Sequence, residues 1–92
     1  MSIEQIKKND LWAFLAQNGI TPVKETSTGG MYLSPIRQED AASFHVDYIK
    51  NLWYDHGAGV GGSIIDLVML MYQTDFIHAV RYLEAPDLSH VQ

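Results

Sequence analysis

Residues 57–63 read Gly-Ala-Gly-Val-Gly-Gly-Ser, and Gly57, Gly59 and Gly62 fit the spacing G-x-G-x-x-G. Glycines so placed between a strand and a helix can cradle a pyrophosphate on the helix N-terminus. The immediate flanks suit this: Leu52-Trp53-Tyr54 is strand-like, and Ser63-Ile64-Ile65-Asp66-Leu67 is helix-like. The wider context does not. A dinucleotide fold needs a second strand after the helix, with an acid near its end. Here another helical pattern follows, and Asp75 begins it. A P-loop fails as well, because Ser63 follows Gly62 where a lysine is required. What remains is a tight corner between strand and helix. The backbone N–H groups of Gly61, Gly62 and Ser63 are candidate anion donors there.

Other chemistries find little support. The chain has no cysteine, which removes disulfides and thiolate metal ligands and fits a reducing cytoplasm. His45, His56, His78 and His90 lack ligand spacing, although His45 and His56 could meet across a hairpin. No metal and no other cofactor is expected. Ser34, Ser43 and Ser63 have no evident base and orienting partner, and Glu39-Asp40 reads as a solvated loop. The chain is therefore read as non-catalytic.

Ninety-two residues allow a single small domain with a thin core. A composition 47% hydrophobic, with 2 Trp, 5 Tyr and 3 Phe, is that of a folded protein. Eleven acids against 6 bases give a net charge of −5. That balance opposes indiscriminate binding to nucleic acid but leaves room for a local basic patch. Residues 1–8 carry no apolar signal core, and the longest apolar run, residues 67–72, is too short to span a bilayer. A cytoplasmic location without a membrane partner is expected.

The elements that must position these residues follow from periodicity and punctuation. Ser2 and Gln5 have capping-box spacing for a short helix to Lys8. Asn9-Asp10 opens a second helix from Leu11 to Asn18, with Leu11, Phe14 and Leu15 as its apolar stripe and Gly19 as its stop. Residues 26–30 read as a turn. Strands are expected at Met31–Leu33, at Phe44–Tyr48, where polarity alternates, and at Leu52–Tyr54 after a Lys50-Asn51 turn. Ser63, with Asp66, caps a helix that buries Ile64, Leu67, Val68 and Met71. Thr74 caps a last helix with Phe76, Val80 and Leu83 inward, ended by Pro86. The fold class is α+β: a small antiparallel sheet of about three strands, flanked by an N-terminal helix and two C-terminal helices.

Two segments together carry a resemblance. Ser34-Pro35-Ile36-Arg37-Gln38-Glu39-Asp40-Ala41-Ala42-Ser43-Phe44-His45-Val46 resembles the first half of the zinc-binding domain at the N-terminus of bacterial DNA primases, and residues 53–68 resemble the second half. Those halves read roughly C-P-x-H-x-E-x-x-P-S-F-x-V and C-x-x-C-G-x-x-G-[ND]-x-I-x-F. Pro35, Glu39, Ser43, Phe44, Val46, Gly59, Gly62, Ile65 and the apolar Leu67 match. The resemblance implies a zinc-ribbon-like fold over residues 1–85, leaving 86–92 as a loose tail. It also places the four zinc ligands at Ser34, Arg37, Asp55 and Ala58, so every ligand is replaced. A tetrahedral zinc site needs thiolate or imidazole donors, which these are not. A salt bridge between Arg37 and Asp55, joined by Ser34, is expected where the metal would be. Lost stability is expected to come from packing of Trp53 and Phe44.

The resemblance implies an accessory module that contacts single-stranded DNA template in a primase-like replication protein, such as one carried by a mobile element. The partners implied are single-stranded DNA and a primase catalytic domain or helicase. The candidate nucleic-acid surface is Lys24, Tyr32, Arg37, Tyr48, Lys50, Trp53 and Tyr54. The alternative is a protein-docking domain that kept the fold and lost both zinc and DNA. The net charge of −5 favours that alternative, with Glu39-Asp40 and the helix face of His78, Arg81 and Tyr82 as contacts.

Overall fold

The computed structural model describes residues 2–84. The expected tail, Pro86 and His90 lie outside the described residues. Helix α1 (Ile3–Ile6) opens on the Ser2 capping box: Gln5 N–H donates to Ser2 Oγ at 3.2 Å, and Ser2 N–H to Gln5 Oε1 at 3.2 Å. Helix α2 (Leu11–Gln17) buries Leu11, Phe14 and Leu15 and is followed by Gly19 at φ +74°. Asp10 precedes α2 without a side-chain cap. Asn51, forty residues away, does that work. Its Oδ1 accepts from Leu11 N–H at 2.8 Å, and its Nδ2 donates to Lys7 O and Asn9 O at 2.8 and 2.7 Å.

Five antiparallel strands follow in simple meander order: β1 (Lys24–Glu25), β2 (Gly29–Tyr32), β3 (Phe44–Asp47), β4 (Leu52–Asp55) and β5 (Val60–Gly62). This corrects the expected three. Both additional strands lie at the sheet edges and are poor in strand-forming residues: Lys-Glu at one edge, Val-Gly-Gly at the other. Pairing with a neighbour, rather than propensity, makes them strands.

The last two turns of the meander are built alike. In the β3–β4 turn, Asp47 Oδ1 accepts from Ile49 and Lys50 N–H at 3.0 and 2.9 Å. Asn51, at φ 57°, then closes the turn onto Asp47 O at 2.8 Å. In the β4–β5 turn, Asp55 Oδ1 accepts from Gly57 and Ala58 N–H at 3.0 and 3.1 Å. Gly59, at φ 73°, closes it onto Asp55 O at 2.7 Å. An aspartate that folds the chain over its own carboxylate, then a residue tolerant of left-handed φ, specifies both.

Helix α3 (Ile64–Tyr72) begins at Ser63, whose N–H donates to Asp66 Oδ2 at 2.9 Å. It buries Ile64, Ile65, Leu67 and Val68, with Met71 only partly covered. Helix α4 (Phe76–Glu84) is capped by Asp75 rather than the expected Thr74: Asp75 Oδ1 accepts from His78 N–H at 2.9 Å. Its inward residues are Ala79 and Leu83, with Val80 beside them, and Phe76 is exposed. The helices cover one face of the sheet. There Phe44 stacks on Trp53 with centroids 5.1 Å apart, and Tyr32 meets Phe44 edge-on at 6.5 Å. Trp53 Nε1–H donates to Ser63 O at 2.8 Å, which pins β4 to the start of α3.

Candidate functional site

Two constructions stand apart from the core: a knuckle of charged side chains beside the β4–β5 turn, and the uncovered face of the sheet. The knuckle joins the β2–β3 loop, residues 33–43, to the turn at 55–59. Arg37 Nη2 donates to Asp55 Oδ1 at 2.7 Å, to Glu39 Oε1 at 2.7 Å and to Ser43 Oγ at 2.8 Å. Arg37 Nε reaches both oxygens of Asp55, at 3.2 and 3.1 Å. Ser43 Oγ donates to Glu39 Oε1 at 2.6 Å, while Glu39 Oε2 accepts from Ser34 N–H at 2.7 Å and Ser43 N–H at 3.2 Å. The expected Arg37–Asp55 pair is present, and its acid is buried: the Asp55 side chain is 0% exposed against 30% for Arg37.

Glu39 corrects the reading of residues 39–40 as a solvated acidic stretch. Its side chain is 8% exposed and belongs to the knuckle, whereas Asp40 is exposed. No spacing rule picks out Glu39 or Ser43 as partners of Arg37. Their place among the positions matching the primase pattern is the signal that points to them.

Burial pushes the Asp55 carboxyl up, but bonds from Arg37, Ser34 and the Ala58 N–H outweigh it and hold the group at about 2. The Ser43 hydroxyl, helped by backbone N–H groups and the Arg37 charge, holds Glu39 below the usual carboxylate range despite burial. Both acids are therefore ionised around one guanidinium, which leaves the knuckle with a net negative charge. Gly57 lies directly against that guanidinium: a Cβ there would overlap Arg37 Nη2. Part of the glycine run thus exists to let an arginine in.

The resemblance to the primase domain implies zinc, and these residues do not fit it. No thiolate is present, Ala58 offers no donor, and a guanidinium fills the centre of the cluster. Among the described residues no group of three or more His, Cys, Asp or Glu is placed to hold a metal ion. Gly61, Gly62 and Ser63 are the expected anion donors. Ser63 N–H is taken by Asp66, a Cβ on Gly62 would strike that same carboxylate, and Gly61 of β5 sits opposite Tyr54 of β4. The chain's own carboxylate fills the helix N-terminus.

The uncovered sheet face carries a row of directly paired residues: Lys24, Met31, His45, Tyr54 and Gly61. At one end Lys24, Met31, His45 and Lys50 line a concavity of about 550 Å³, along with the acids Glu25 and Asp47. Asp47 turns its carboxylate into its own turn, onto Ile49 and Lys50 N–H. Among the described residues neither lysine is held in an ion pair. Further along, Tyr54 is 44% exposed, with His56 edge-on to its ring at 4.8 Å.

Of the nucleic-acid candidates, the structure brings Lys24, Lys50 and Tyr54 to this face and separates the others from it. Tyr32 is 1% exposed and Trp53 3%, so neither offers a ring face for stacking. Tyr48 lies half-buried. Its hydroxyl donates to Glu25 Oε2 at 2.7 Å and meets the Tyr32 hydroxyl at 2.6 Å. Burial and those bonds push the Tyr48 phenol far up. The Arg37 charge is spent on Asp55 and Glu39. Strand register sets His45 opposite Tyr54, and His56 packs on the same ring, a proximity that ligand spacing in the sequence does not reveal.

Comparison with known proteins bears on the fold. No curated protein matches the chain. Among solved structures, the Aquifex aeolicus primase fragment comprising zinc-binding and RNA polymerase domains superposes with a TM-score of 0.72 at 22% identity. The match covers 90% of this chain and 21% of that one, so the chain spans about a fifth of the solved primase. The family described as CHC2 zinc finger, a primase-type zinc ribbon, matches residues 2–91. With nearly its whole length matched, and without a single cysteine, the chain belongs to the CHC2 zinc finger family.

Proposed function

We propose that this chain is a non-catalytic accessory module that presents single-stranded DNA to a primase-like replication protein. Membership in a primase-type family supports the replication setting. In this reading the chain works in the cytoplasm beside a primase catalytic domain or a helicase, in a mobile element or its host. The observation that carries the binding reading is the open sheet face, where Lys24 and Lys50 line a concavity with His45 that leads to the exposed ring of Tyr54. Lysines supply phosphate contacts, and an exposed aromatic supplies a base-stacking platform. Lys24 and Lys50 share this face with Glu25 and Asp47, so the positive charge offered to phosphate is confined to the two lysine side chains.

Fluorescence anisotropy with a labelled oligothymidylate tests the proposal. Two lysine contacts predict a slope of log K against log salt of about −1.4. Tyr54→Ala is expected to weaken binding by about 1–3 kcal/mol. Lys24→Glu and Lys50→Glu each weaken it and flatten the slope. Absence of binding at low salt overturns the proposal. A docking role would then take its place, supported by the exposed Leu70, Phe76, Ile77 and Tyr82 on α3 and α4.

A further inference from the structure

Three oxygens from three residues converge on one nitrogen of Arg37: Asp55 Oδ1 at 2.7 Å, Glu39 Oε1 at 2.7 Å and Ser43 Oγ at 2.8 Å from Nη2. We infer that this guanidinium is an internal cation that organises the knuckle in place of a metal, and that removing it converts the oxygen ring into a site for an added cation. The inference is independent of the DNA binding proposed above.

The β2–β3 loop and the β4–β5 turn are distant in sequence and contribute little to the core. Ile36 packs partly against it, and residues 56–60 are all exposed. One backbone bond, His56 N–H to Ser43 O at 2.9 Å, joins the two segments. Ser34 adds a side-chain bond to Asp55, and the other polar links between them run through Arg37. A metal cross-links such segments by drawing donors from both onto one positive centre. The guanidinium does the same with fixed donors, taking Asp55 from the turn and Glu39 and Ser43 from the loop. Its neighbours show the accommodation: Gly57 leaves room for it, and Asp55 Oδ1 also gathers the Gly57 and Ala58 N–H groups. Without the guanidinium, two ionised carboxylates would face each other beside a hydroxyl. That is an all-oxygen, anionic set, suited to a hard cation such as calcium or manganese rather than to zinc.

Thermal unfolding of the full chain and its variants reads this out. The wild-type midpoint is expected to be unchanged by EDTA, zinc or calcium. Arg37→Lys retains a cation and is expected to unfold well above Arg37→Met, which keeps bulk without charge. Arg37→Ala is expected to gain several degrees with millimolar methylguanidinium or calcium, neither of which moves the wild type. If Arg37→Ala does not fold, the Lys and Met variants decide. The inference is overturned if Arg37→Met is as stable as Arg37→Lys, if EDTA lowers the wild-type midpoint, or if a folded Arg37→Ala ignores both cations.

Discussion

Asp55→Asn changes one atom of the knuckle and its charge, and its consequences can be worked from the geometry. The carboxylate is fully buried and takes bonds from Arg37 Nε and Nη2 and from Gly57 and Ala58 N–H. An asparagine can keep its oxygen on the two turn amides. Its amide nitrogen then points hydrogens at Arg37 Nε, so a donor faces a donor. Breaking a buried pair from one side costs about 3 kcal/mol. For a domain of this size that lowers the melting midpoint by about 12–24 °C. The pH dependence gives a second reading. The folded chain holds the Asp55 carboxyl at about 2, against an ordinary 3.8. As pH falls, the unfolded chain takes up this proton first. The stabilisation is therefore complete above pH 3.8 and drains away as pH drops toward about 2. It amounts to about 2 kcal/mol, a ceiling because Arg37 is 30% exposed and water screens that side of the pair. The assay is circular-dichroism melting of both proteins from pH 7 to pH 2, with the gap between them narrowing in the acid window. Equal midpoints at neutral pH, or parallel acid limbs, would refute the reasoning.

Two other substitutions probe the supports. Gly57→Ala should push the guanidinium off its acids and lower the midpoint in the wild type, while costing little in an Arg37→Lys background. A double-mutant cycle by thermal melts should return a coupling of about 1–3 kcal/mol. Asn51→Ala loses bonds to Lys7, Asn9 and Leu11 and strains a residue at φ 57°. A loss of about 2–4 kcal/mol is expected in urea unfolding, and Asn51→Gly should recover only the backbone part.

Local signals in the chain carry far, and then stop. The Ser2 capping box, the Gly19 stop and the alternation of residues 44–48 each act within a few residues, and each appears where the sequence places it, with the strand ending one residue early at Asp47. Strands β1 and β5 were not legible, because Lys24-Glu25 and Val60-Gly61-Gly62 become strands only through their neighbours. Asn51 reads as a turn residue, and nothing nearby reveals that it caps a helix forty positions earlier. Arg37 and Asp55 were legible as a pair only through the primase pattern. Glu39 was misread because charge beside charge ordinarily signals solvent. For the aromatics, composition cannot separate Tyr54 from Tyr32 or Trp53. Strand register decides which ring faces water, and a shift of one residue would exchange them.

The most direct test of the central claim, that the open sheet face meets nucleic acid, is an NMR titration of the labelled chain with short single-stranded DNA. The account predicts saturable shifts at Lys24, Met31, His45, Lys50 and Tyr54, with the amides of α3 and α4 unmoved. Shifts confined to α3 and α4, or none at low salt, would contradict it.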